Sequence, residues 1–189
     1  MLADSDRKML LRIARETIRA AVTGEAAPLV TVESPALRAP CGAFVTMKNR
    51  GRLRGCIGTF ASRDPLYRTV QEMAAAATRD PRFLGNPVTV GELDRIDIEI
   101  SALSPLEKVG DPLRDIELGR HGIRIDSPYG SGCFLPQVAT ETGWSLEEFL
   151  SHCAAGKAGI SPDAWRSPEV TVHRFEAEVF GEAEEPADA

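Results

Sequence analysis

Near the start of the chain, apolar residues recur at helical spacing. Leu10, Ile13, Ala14, Thr17 and Ala21 fall on one face, Asp4 and Ser5 can cap the helix, and Gly24 is a natural stop. Residues 25–40 contain Pro28, Pro35 and Pro40 and read as an irregular connector. Ala43 to Lys48 reads as a strand, Asn49-Arg50-Gly51 as a tight turn, and Arg52 to Phe60 as the returning strand of a β-hairpin. Asp64 and Pro65 then suit a helix cap and first helical position, with Leu66, Val70, Met73, Ala74 and Ala77 as the apolar face.

The clearest strand is Ile96 to Ala102. Its apolar residues sit at even positions, and Asp97, Glu99 and Ser101 at odd ones, which predicts a half-buried antiparallel strand. Gly122 to Asp126 and Cys133 to Leu135 read as two short strands, the second ending at Pro136. Ser145 and Glu148 form a capping box, with Trp144 and Phe149 as a hydrophobic staple, ahead of a helix that Gly156 ends. In the last strand, Glu169 to Phe180, apolar parity switches from Val170 and Val172 to Phe175, Ala177 and Val179. A β-bulge near His173-Arg174 would repair it. Strands and helices interspersed with hairpins predict an α+β fold, a mainly antiparallel sheet flanked by helices. The last strand needs a neighbour, so the first and last segments are expected to meet. Residues 1–180 read as one domain, and the acidic tail 181–189 as disordered.

Composition narrows the function classes. The chain has 189 residues, 43% hydrophobic and 26% charged, which is ordinary for a globular domain. Its 22 basic against 28 acidic residues leave a net charge of −6, which disfavours nucleic acid and anionic membrane as partners. No apolar stretch approaches the ~20 residues of a membrane span, and no signal peptide is evident at the start. The four cysteines, at 41, 56, 133 and 153, form no metal-site or C-x-x-C spacing. No metal and no cofactor is expected, and the cysteines read as reduced thiols of a cytoplasmic protein.

One segment concentrates chemistry: Arg50-Gly-Arg-Leu-Arg-Gly-Cys-Ile-Gly58. Alternation along a strand would put Arg52, Arg54 and Cys56 on one face, and Leu53 and Ile57 on the other. Cations beside a thiol favour its thiolate, the nucleophilic form. Gly55 and Gly58 would let a ligand or another backbone approach. Arginine forks match carboxylate or phosphate, so the pattern predicts a small anion site containing a thiol. The plainer reading is a solvated hairpin face with a core cysteine. A Cys41–Cys56 redox pair is disfavoured by the hairpin register.

Leu53-Arg-Gly-Cys-Ile-Gly58 resembles the signature of the AMMECR domain family. Gly42-Ala-Phe-Val-Thr46, Asp80-Pro-Arg-Phe83, Ile98-Glu-Ile-Ser101, His121-Gly-Ile123, Phe134-Leu-Pro-Gln-Val138 and Lys157-Ala-Gly159 extend the resemblance over Leu10 to Phe180. It implies an α+β domain of two lobes, with the signature near a cleft. It also implies a Memo-like protein and a radical-SAM protein as partners, the trio of the AmmeMemoRadiSam system. It implies no settled activity.

Two functions from different classes follow. In the first, the protein is an enzyme or enzyme component acting on a small anionic substrate or a protein side chain. Cys56 is then the catalytic group, and Arg52, Arg54, Gly55, Ile57 and Gly58 line the ligand site. His121 could complete a thiol–imidazole pair, and Gln137 could reach the cleft. In the second, the protein is a ligand- or protein-binding adaptor, with Cys56 structural. Asp97 and Glu99 read as the wet face of their strand, and His152 as a solvated helix residue.

Overall fold

The structure is a computed structural model and describes residues 1–60 and 62–182. These fall into two compact units: Met1–Leu103 with the chain from Glu178 onward, and Ser104–Ala177.

The first unit opens with helix α1 (Asp4–Thr23). Ala3, not Asp4 or Ser5, is its cap residue, and no side chain caps it. Asp4 and Asp6 lie inside the first turn, where the helix dipole favours carboxylates. Gly24 ends the helix at φ 78, the left-handed conformation that a residue with a Cβ resists. The connector holds one helical turn, α2 (Pro35–Arg38). Strands β1 (Ala43–Asn49) and β2 (Arg52–Thr59) form the expected hairpin. Arg50 and Gly51 turn it with φ 50 and 76, the two successive positive values that match strand twist. Helix α3 (Leu66–Ala77) follows. Pro65 is its cap residue and Asp64 makes no capping bond, so the start lies slightly later than its sequence suggests. Two 3₁₀ segments, Pro81–Phe83 and Val90–Arg95, lead into β3 (Ile96–Leu103).

Strand β1 lies between β2 and β3, antiparallel to both. Val45, Met47, Ile98 and Ile100 meet Leu10, Ile13 and Ile18 of α1 and Leu66, Val70 and Ala74 of α3 in one core. Asp97 is exposed and Glu99 half-buried on the opposite sheet face, but Ser101 is buried.

The second unit contains β4 (Glu107–Lys108), α4 (Pro112–Asp115), β5 (His121–Ser127), β6 (Gly130–Phe134), α5 (Pro136–Thr142), α6 (Leu146–Gly156) and most of β7 (Thr171–Gly181). Ile123, Ile125, Phe134, Phe149, Leu150, Cys153, Trp165 and Val172 form its core. The Ser145–Glu148 capping box is formed as expected. Two expectations are corrected. Pro136 opens helix α5 rather than closing a strand, because proline suits a first helical turn. No bulge interrupts the β5–β7 pairing, which runs in register from Asp126↔Thr171 to His121↔Glu176. The parity switch has another cause: Val172 and Phe175 are buried on opposite faces, and the Phe175 ring covers Gly122, where a Cβ would stand 2.5 Å from it.

The strand order is β2-β1-β3-β7-β5-β6, with β4 also on β7, and every described pairing is antiparallel. The end of β7 belongs to the first unit. Glu178 accepts the Leu2 amide at 2.9 Å and pairs with Arg7 at 2.7 Å. Glu182 pairs with Arg15 and accepts the Ile98 amide at 3.0 Å. Gly181 and Glu182, read from sequence as part of a disordered tail, are thus ordered. The rest of that tail, residues 183–189, lies outside the described residues. Among the described residues, no helix is long and apolar enough to cross a membrane.

Candidate functional site

Cys56 sits near the middle of β2, which has β1 as its strand neighbour. Thr46 of β1 stands opposite both Cys56 and Glu99 of β3. Cross-strand partners share a sheet face, so thiol, hydroxyl and carboxylate form one row on the face away from the first core. The Thr46 hydroxyl donates to Cys56 Sγ at 3.2 Å. Lys48, two residues along β1, holds Glu99 at 2.9 Å.

On its outer edge, the Cys56 backbone is completed by side chains instead of a strand. Its amide donates to Asp80 Oδ2 at 2.9 Å, and Arg82 donates to its carbonyl at 3.1 Å. Asp80 is buried and also accepts the Arg82 amide and guanidinium. The guanidinium, helped by the Cys56 and Arg82 amides, outweighs burial and holds the Asp80 carboxyl at about 2. Asp80 in turn raises Arg82, and the nearby Cys56 thiol adds to that. The Arg82 side chain is 56% exposed, so one guanidinium is open to solvent beside a half-buried thiol.

The arginines flagged from sequence are placed differently. The β1–β2 register shifts between Met47↔Gly55 and Lys48↔Leu53, so Arg54 is an extra, bulged residue. The bulge breaks the simple alternation: Arg52, Arg54 and Cys56 do not share a face, and Leu53 is 39% exposed instead of core. Arg54 is buried with its guanidinium satisfied. It pairs with Glu92 at 2.9 and 3.1 Å and donates to the Asn86 and Pro87 carbonyls. Arg54 thereby pins Glu92 at about 2 and anchors the segment preceding β3. Arg52 is exposed and pairs with Asn49 in the ladder. Ile57 packs against the first core.

Both signature glycines are filled from within the chain. A Cβ on Gly55 would stand 2.3 Å from the Ala77 carbonyl, and one on Gly58 2.2 Å from the Phe44 ring. The close approach expected at these positions is therefore made by α3 and by β1. Phe44 packs edge-on against Phe60 at 4.9 Å.

His121 and Gln137 belong to the second unit, and Cys56 to the first. Gln137 is half-buried in the first turn of α5, its carbonyl accepting the Thr140 hydroxyl. His121 is buried, with Nδ1 accepting the Glu117 amide at 3.0 Å. His152 is exposed and stacks on Trp144 at 4.1 Å. None of the four cysteines is joined in a disulfide. Burial raises Cys41, and pushes Cys153 up to about 12. Among the described residues, no cluster of three or more His, Cys, Asp or Glu side chains could hold a metal ion.

Sequence reasoning missed Thr46, Asp80 and Arg82 as neighbours of Cys56. Asp80-Pro81 was legible as a chain break, and Asp-Pro-x at a turn is a capping signal. Nothing local reveals that this turn closes against β2.

These features define an α+β protein with a cysteine on an edge strand, its backbone held by a buried carboxylate and the exposed guanidinium paired with it. The AMMECR1 family model matches residues 11–180, and the chain belongs to that family. A protein of Methanothermobacter thermautotrophicus is 39% identical over 188 residues, covering 96% of both chains. One from Methanocaldococcus jannaschii is 46% identical over 138 residues, covering 70% of this chain and 67% of that one. The crystal structure of an uncharacterized protein from Pyrococcus horikoshii superposes with a TM-score of 0.86 at 35% identity, covering 96% of this chain and 93% of that one.

Proposed function

We propose that this AMMECR1-family protein is an enzyme or enzyme component in which Cys56 is the nucleophile. Arg82 takes the role that sequence assigned to Arg52 and Arg54, holding the anionic group of a small substrate or protein side chain. The observation that carries this reading is the half-buried Cys56, whose Sγ accepts the Thr46 hydroxyl at 3.2 Å and whose carbonyl accepts the solvent-exposed Arg82 guanidinium at 3.1 Å. A hydroxyl donor on the sulfur and an exposed guanidinium bound to the same residue are groups that a nucleophilic thiol and an anionic substrate would use. The anion site is small, since Arg54 is committed to Glu92. Family resemblance supplies the expected partners, a Memo-like and a radical-SAM protein. Free thiols and the acidic charge balance support cytoplasmic residence and disfavour nucleic acid.

Iodoacetamide labelling of the native protein, read by mass spectrometry at each cysteine, tests this. Cys56 should label at neutral pH well ahead of Cys153, and Arg82→Gln should slow it about tenfold with the fold intact. Labelling of Cys56 only after unfolding, or at an unchanged rate in Arg82→Gln, overturns the reading.

A second reading, a binding adaptor with Cys56 structural, draws on a different observation: Arg54, Gly55 and Gly58 all serve packing. It is favoured if Cys56→Ser retains affinity for the Memo-like partner while Cys56 stays unlabelled in the native protein.

A further inference from the structure

The second unit contains a recess of about 260 Å³ that the Cys56 reading does not use. Ser104, Glu107, Arg120, His121, Arg174 and Glu176 line it. His121 is its buried polar member, with a side chain 8% exposed, beside the buried Phe175. Because Nδ1 accepts the Glu117 amide, the neutral ring carries its hydrogen on Nε2. Nε2 stands 3.8 Å from Glu176 Oε1, beyond hydrogen-bond reach. No other hydrogen bond among the described residues reaches it. The ring lines the recess, so its Nε2 hydrogen is open to an acceptor there.

The surrounding charges are balanced and fixed. Arg120 pairs with Glu176 at 2.9 Å and with Glu117 at 3.4 Å. Arg174 pairs with Glu107 at 2.9 Å and donates to the Asp115 carbonyl at 2.7 Å. Burial, then Arg174 and Arg120, lower His121 against the opposing pull of Glu176 and Glu117, which keeps the imidazole a neutral donor. Two cations and two carboxylates in one wall give no net attraction for a phosphate dianion. They offer complementary partners to a ligand carrying both signs. The volume lies below the ~300–1,000 Å³ of ordinary small-molecule sites, which favours a metabolite over a nucleotide.

We propose that this recess binds a small zwitterion of the α-amino-acid type. Its carboxylate would accept from His121 Nε2 and Arg120, and its ammonium group would meet Glu107 or Glu176. The site rests on residues separate from the Cys56 row, so either reading can fail alone.

The test is an NMR titration of the full chain with labelled histidine rings, using glycine, acetate, methylammonium and inorganic phosphate. Glycine should shift the His121 resonances saturably, with a Kd in the millimolar range, about 1–10 mM. Acetate and methylammonium, each half of the zwitterion, should bind about tenfold more weakly. His152, exposed on the same unit, should not respond. Arg120→Gln changes an exposed side chain and should weaken glycine about tenfold. The absence of a saturable His121 shift overturns the proposal. So does acetate or phosphate matching glycine, or an Arg120→Gln protein that binds glycine unchanged.

Discussion

Asp80 accepts the Cys56 amide at 2.9 Å while holding Arg82 at 2.6 Å. A single buried carboxylate thus completes the open edge of β2 and places a cation beside the thiol. Unpaired strand edges invite pairing with other chains, and here a 3₁₀ turn closes the edge at Cys56.

That linkage makes Arg82 important to stability despite its exposure. Arg82→Ala leaves the buried Asp80 carboxylate without its cation and should cost about 1–2 kcal/mol, since solvent already screens the exposed Arg82 end. Asp80→Asn keeps an acceptor for the Cys56 amide and should cost less. Urea unfolding midpoints at pH 7 check the order.

The Arg54–Glu92 pair should behave as structure. Glu92→Gln leaves a buried guanidinium short of a counter-charge and should destabilise by about 2–4 kcal/mol. Arg52→Ala, at an exposed position, should stay within about 0.5 kcal/mol. Thermal unfolding of the two variants beside the parent measures the contrast.

Acid should destabilise through the same two carboxylates. Asp80 and Glu92 are held at about 2 when folded, below their ordinary values near 4. The unfolded chain therefore binds protons first, and stability falls as pH drops. Their contribution should be complete above about pH 5 and fade between about pH 5 and 2, by about 2 kcal/mol each. Unfolding free energy measured against pH should flatten over this window in the Asp80→Asn, Glu92→Gln double variant.

Glycine substitutions should separate packing from conformation. Gly55→Ala drives a Cβ to 2.3 Å from backbone, and Gly58→Ala to 2.2 Å from a ring; each should cost about 1–3 kcal/mol or more. Gly51→Ala meets no atom within 4 Å and pays only for its φ of 76, about 1 kcal/mol. Calorimetry on the three proteins should rank Gly51→Ala mildest.

Cys153 should report unfolding. It is fully buried, with its thiol pushed up to about 12, so it should resist alkylation at pH 8 until the second unit opens. Pulse labelling along a urea series should show Cys153 reacting in step with loss of circular dichroism.

Local chemistry accounts for much of the fold. The hairpin at Arg50-Gly51, the Gly24 stop, the Ser145–Glu148 capping box and the even-position core of β3 each depend on neighbours within a few residues. Linear pattern is enough to predict such features, and it predicted the α+β class with them. The family signature, too, was readable as letters. The roles of those letters were decided by tertiary contacts. One bulged residue at Arg54 rotates the strand's side chains, so the arginine that alternation placed beside Cys56 turns inward to Glu92. The cation that does reach Cys56, Arg82, binds its carbonyl and arrives from a turn 26 residues later along the chain. Periodicity carries no information about such a meeting, because it depends on where α3 ends against β2 and not on any local preference.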